Sequence, residues 1–106
     1  MGYCTRFELS ISNNDASLLA EIIETDDELS SLFDTDGESF DSYKWYSHEE
    51  DMVAVSKQYP SLVFTLKGEG EDAGDVWYKY FKNGLIQRCP AKITFDEYDE
   101  SKLDLL

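Results

Sequence analysis

The chain has 106 residues and a net charge of −14, the length of a single domain with one core. At 42% apolar and 14% aromatic residues it is too hydrophobic for a disordered acidic chain, and no apolar run reaches the ~18 residues of a membrane helix. Such a field repels phosphate backbones and anionic membranes and attracts basic surfaces. The expected partner is therefore a basic protein, with no direct nucleic-acid contact by the whole molecule and no membrane.

Tyr3 to Ile11 alternates, with Tyr3, Thr5, Phe7, Leu9 and Ile11 on one face, which predicts a half-buried strand. Ser12-Asn13-Asn14-Asp15 offers helix N-caps. Leu18, Leu19, Ile22, Ile23, Leu29, Leu32 and Phe33 then recur at helical spacing. Asp26, Asp27 and Glu28 come late for one helix dipole, so an end or kink is expected near Thr25, with a short turn over Glu28 to Phe33. Asp34 to Ser39 reads as a polar loop around Gly37, and Phe40 to Tyr46 as a strand. Ser47-His48-Glu49-Glu50 has the form of a capping box opening a second helix, with Met52, Val55 and Tyr59 as its apolar stripe and Pro60 as its stop.

Leu62 to Lys67 alternates as a strand, Gly68 to Asp75 is an acidic turn, and Val76 to Lys82 is an aromatic strand. Asn83-Gly84 signals a two-residue type I′ hairpin, returning through Leu85 to Phe95. Its register pairs Lys82 with Leu85, Tyr80 with Gln87, Tyr78 with Cys89 and Val76 with Ala91. That face runs on into Ile93 and Phe95 and is expected to meet the core. The other face pairs Phe81 with Ile86, Lys79 with Arg88 and Trp77 with Pro90. The inverse, in which Trp77 and Phe81 meet the helices while Tyr78 and Tyr80 are exposed, stays open. The fold class is therefore α+β: a ferredoxin-like sandwich of about five mainly antiparallel strands, ordered β-α-β-α-β-β-β, with two helices on one face. Residues 1–106 form the single domain, and 96–106 an acidic tail with at most one short helix.

No constellation for chemistry stands out, so the expected entries for catalytic residues, metal and cofactors are none, and no enzyme is expected. His48, the one histidine, reads as an exposed helix-start residue, without a Ser or Cys motif to make a triad. Asp34, Asp36 and Glu38 have calcium-loop spacing, but Ser39 and Trp45 stand where that loop needs Gly and Glu. Glu69, Glu71, Asp72 and Asp75 could hold a hard cation only weakly. Cys4 and Cys89 are too far apart for a metal or redox motif and read as free, buried thiols; a cross-strand disulfide is the alternative. The N-terminus lacks the regions of a secretory leader and the myristoylation pattern, so the cytoplasm is the expected location.

Charge is concentrated. Between Asp15 and Asp51 stand thirteen acids and one base, Lys44, whereas from Met52 onward nine acids face seven bases. The candidate partner-binding face is therefore Glu21, Glu24, Asp26, Asp27, Glu28, Asp34, Asp36 and Glu38; the alternative reading is a surface that is only solubilising. A second candidate is the hairpin face of Trp77, Lys79, Phe81 and Arg88, whose interleaved aromatics and bases suit base stacking or protein docking.

Within Trp45 to Gln87, the WY-x-HEEDM helix start, the S-K-x-Y-P helix end, the L-x-F-x-L strand, the GEGE-x-x-GD turn and W-x-x-YFKNG resemble a group of small acidic proteins of phages, prophages and plasmids. More distantly the stretch is similar to the YubB-type ferredoxin-like domain. The shared motifs are caps, stops and turns, so the resemblance implies a fold and carries over no functional residue. Together with the charge, it implies a non-enzymatic binding protein of mobile-element type that inhibits a basic host protein, such as a defence nuclease or a toxin. The alternative is a small regulatory or nucleic-acid-associated module acting through the hairpin face.

Overall fold

The computed structural model describes residues 2–106; Met1, and with it the first residue of the N-terminal reading, lies outside them. Strand β1 (Thr5–Ile11) leads through helices α1 (Ala16–Thr25) and α2 (Asp27–Leu32) to β2 (Glu38–Tyr43). Helix α3 (His48–Gln58) follows, then β3 (Phe64–Gly70), β4 (Val76–Lys82) and β5 (Leu85–Pro90). The fold is α+β: an open sheet of five strands in the order β2-β1-β3-β4-β5, every neighbouring pair antiparallel. β1 and β2, although joined through two helices, lie side by side.

The helical stretch breaks where its charges conflict with one dipole. Asp15 caps α1, its carboxylate accepting from the Leu18 amide at 3.1 Å. Asp26 ends α1 and starts α2, accepting from the Leu29 amide at 3.0 Å. Helix α3 stops at Gln58, two residues before Pro60. Its start is not the expected capping box, because Ser47 makes no side-chain cap to a backbone amide. Instead the Ser47 hydroxyl and the Trp45 indole N–H both donate to Asp51 Oδ2, at 2.9 and 2.7 Å. That carboxylate draws Trp45 into the core and ends the strand at Tyr43, short of the expected Tyr46.

One face of β1 (Phe7, Leu9, Ile11) and of β3 (Phe64, Leu66) joins Phe81 of β4 in the core. The same cluster takes in Ile22 and Ile23 of α1, Leu29 of α2 and Met52 of α3. The β1–β2 ladder slips between Arg6 and Glu8. There the buried Ser39 hydroxyl accepts from the Phe7 amide at 3.0 Å, so the interruption leaves that donor satisfied.

The hairpin has the expected register in all six pairs from Trp77–Pro90 to Lys82–Leu85, and Asn83 and Gly84 take φ of 47° and 82°. Its covered face is the inverse of the first assignment. Phe81 is fully buried while Tyr78 is exposed, because α3 packs over the Trp77–Phe81 side. The return strand also ends at Pro90, which has no N–H for the ladder, and Ile93 and Phe95 are exposed rather than in the core. The tail is irregular apart from one 3-10 turn at Glu100–Lys102. Cys4 and Cys89 are free thiols, half-buried rather than buried.

Candidate interaction surfaces

The acidic candidates divide by what their carboxylates do. α1 buries Leu19, Ile22 and Ile23, and α2 buries Leu29 and Leu32, which turns Glu21, Glu24, Asp27 and Glu28 out to solvent. Asp26 is half-buried and holds the α1–α2 junction. Asp34 is half-buried too, and its Oδ1 accepts the Asp36 and Glu38 amides at 2.9 and 3.1 Å, which closes the loop around Gly37. Asp36 is exposed in that loop. Glu38 belongs elsewhere: opposite Glu8 in the ladder, it lines a cleft of about 180 Å³ with Arg6, Lys67 and Glu69.

Glu28 joins Asp26 and Asp51 along a depression of about 190 Å³ between α2 and α3. The structure thus extends the acidic surface from α1–α2 onto α3 by one residue that the sequence reading left out, Asp51. Among the described residues the ion pairs are Lys67–Glu69, Lys79–Glu49 and Arg88–Glu49. None of the eight candidate acids takes part in one.

The hairpin candidates are brought together, Trp77, Lys79 and Phe81 under α3 and Arg88 exposed at its rim. Lys79 donates to Glu49 at 3.0 Å and to His48 Nε2 at 2.6 Å, and its ammonium stands 4.2 Å from the Trp77 ring centre. Arg88 grips the same Glu49 carboxylate with two bonds of 2.7 and 2.8 Å. The Arg88 fork, with help from Lys79 and against some burial, holds the Glu49 carboxyl down at about 2. Trp77 stacks on His48 with ring centres 5.1 Å apart, and Phe81 has no exposed surface. This packing covers Phe81 completely and leaves Trp77 half-buried.

His48 is the residue that sequence reasoning missed. It is half-buried between Trp77, Phe7 and Trp45, not exposed at a helix start. Its Nδ1 hydrogen-bonds the Trp45 carbonyl at 2.9 Å, which requires an N–H there and leaves Nε2 as the acceptor for Lys79. Burial pushes the imidazole below its usual range, the Lys79 charge adds to this, and the Trp45 carbonyl opposes it. Chemically the cluster is a tie between α3, β4 and β5. Both Lys79 and His48 have their polar atoms committed to protein partners, so neither is a free base or nucleophile.

No family model matches the chain, and no curated protein or solved structure matches it. Among the described residues no helix is long and apolar enough to cross a membrane.

Proposed function

We propose that this chain is a non-enzymatic, cytoplasmic binding protein that sets the acidic surface of α1 and α2 against a basic protein surface. The observation that supports the reading is the state of the carboxylates: Glu21, Glu24, Asp27 and Glu28 are exposed on two consecutive helices, and among the described residues none is in an ion pair. Like charges held close raise the energy of the free protein, and a cationic partner relieves it. A nuclease channel or a cationic toxin offers that chemistry, and with the resemblance of Trp45–Gln87 this gives an inhibitor of phage or mobile-element type. A ferredoxin-like layout, with the helices on one face of the sheet, belongs to the same proposal.

The test is binding to a panel of basic nucleases and toxins at low and high salt. Affinity for the true partner should drop on the order of tenfold or more between about 0.05 M and about 0.5 M salt. It should also collapse in the Glu21→Lys, Glu24→Lys, Asp27→Lys, Glu28→Lys variant. Partner binding that survives both changes would remove the proposal.

A further inference from the structure

The hairpin end of the sheet carries an apolar groove of about 470 Å³, lined by Pro60, Val63, Tyr80, Lys82, Leu85 and Ile86. Leu85 is 75% exposed at its mouth. Lys57 of α3 lies next to it, packing its alkyl chain against Gly84, which stands between the lining residues Asn83 and Leu85. Among the described residues, Lys57 and Lys82 are in no ion pair, and no acid lines the groove. In a chain of net charge −14 this is a basic, apolar exception.

A segment with the opposite properties exists in the same chain. Residues 96–106 carry Asp96, Glu97, Asp99, Glu100 and Asp104 against Lys102 alone. Leu103 and Leu105, 64% and 100% exposed, alternate on one side as residues of an extended strand do. Exposed apolar side chains on the tail and an apolar groove on the same molecule mark an interface.

We propose that the groove takes the tail of a second copy of this chain, Leu103 and Leu105 entering between Tyr80 and Leu85 while the tail acids meet Lys57 and Lys82, so that two copies exchange tails. The second copy is favoured over the chain's own groove because the tail of the single chain lies exposed and none of its residues lines the groove. Sixteen residues beyond Pro90 span up to about 50 Å when extended, enough to cross to a partner. Reciprocal exchange closes the pair about a twofold axis, so no open polymer results.

Sedimentation of the full chain over a concentration series tests this. The expected result is a dimer whose association weakens with salt and falls roughly tenfold or more in Leu85→Asp and in Leu103→Ser/Leu105→Ser. Mixing the two variants should restore a mixed dimer, since one keeps its tail and the other its groove. A chain monomeric up to about 1 mM, or a dimer indifferent to both variants, overturns the proposal. So does tail–groove contact by NMR that is independent of concentration, which would be the chain's own tail. Should Leu85→Asp fail to fold, the tail variant decides alone, because its two sites are exposed in the single chain.

Discussion

The Lys79 ammonium lies 2.6 Å from His48 Nε2, so the imidazole must be neutral with its proton on Nδ1. Lys79, Glu49, Glu50 and the Trp45 carbonyl are the groups whose charge or dipole acts on it. A histidine with a lowered folded pKa binds fewer protons folded than unfolded. Stability is then fully present above the ordinary histidine value of 6.5 and is lost as pH falls below it toward the folded pKa. Nitrogen-detected NMR should show the Nδ1–H tautomer at neutral pH. The thermal midpoint should fall between about pH 7.5 and about pH 5 more steeply than in His48→Gln. A ring that titrates at or above the ordinary histidine value contradicts the geometry.

Glu49 is the counter-ion of both Lys79 and Arg88, and the two partners differ in what they stand to lose. The Lys79 side chain is 14% exposed, that of Arg88 60%. Glu49→Gln leaves Lys79 under α3 with its charge uncompensated, and a loss of about 1–2 kcal/mol is expected in chemical denaturation near neutral pH. Arg88→Ala should cost less than Glu49→Gln, since its guanidinium is exposed and water takes it over. The carboxyl is depressed from 4.5 to about 2, so its contribution is present above 4.5 and disappears as pH falls toward 2. In Glu49→Gln that acid limb of the stability curve should be shallower.

The hairpin shows how far residues alone carry the fold. Asn83-Gly84 and the alternation on either side determine every cross-strand pair from Lys82–Leu85 to Trp77–Pro90. They do not determine which face is covered, since period two is symmetric between faces and aromatics stand on both. What breaks the symmetry is α3, and its position depends on Asp51 gathering Trp45 and Ser47, a contact among residues that read as an ordinary capping box. His48 was illegible for the same reason: its neighbours Phe7 and Trp77 lie far away in sequence. The amphipathic helices α1 and α2 were legible because their apolar spacing and caps are local, and so were their outward acids. That Glu38 lies apart from them, beside Arg6 and Lys67, follows from the β1–β2 ladder and its slip, which no local pattern encodes.

Gly68 of β3 faces Trp77 across the ladder, and a Cβ there would overlap the indole ring itself. Gly68→Ala must displace Trp77, and with it the stack on His48 and the Lys79 contact. Overpacking of this kind costs about 1–3 kcal/mol. Tryptophan emission should shift to the red as the ring moves toward solvent, in step with a lower midpoint of denaturation. An alanine variant with unchanged emission and stability would show that the ring has room to give.

Asp26 separates scaffold from surface within the acidic candidates. Its backbone N–H donates to the Ile23 carbonyl at 3.4 Å as α1 ends, and its carboxylate caps α2 through the Leu29 amide. Asp26→Ala should therefore cost about 1 kcal/mol, with Asp26→Asn retaining most of it, because an amide oxygen caps nearly as well as a carboxylate. Glu21→Ala and Glu24→Ala, exposed and without partners, should stay within about 0.5 kcal/mol of the parent. If the acidic surface works through charge, partner affinity should respond in the opposite pattern: Glu21→Ala and Glu24→Ala weaken binding while leaving stability alone. Asp26→Asn, which removes a charge at little cost to the fold, then reports whether the α1–α2 junction itself lies under the partner. Measuring stability and affinity on this one set separates a surface held in place for recognition from one that only keeps the protein dissolved.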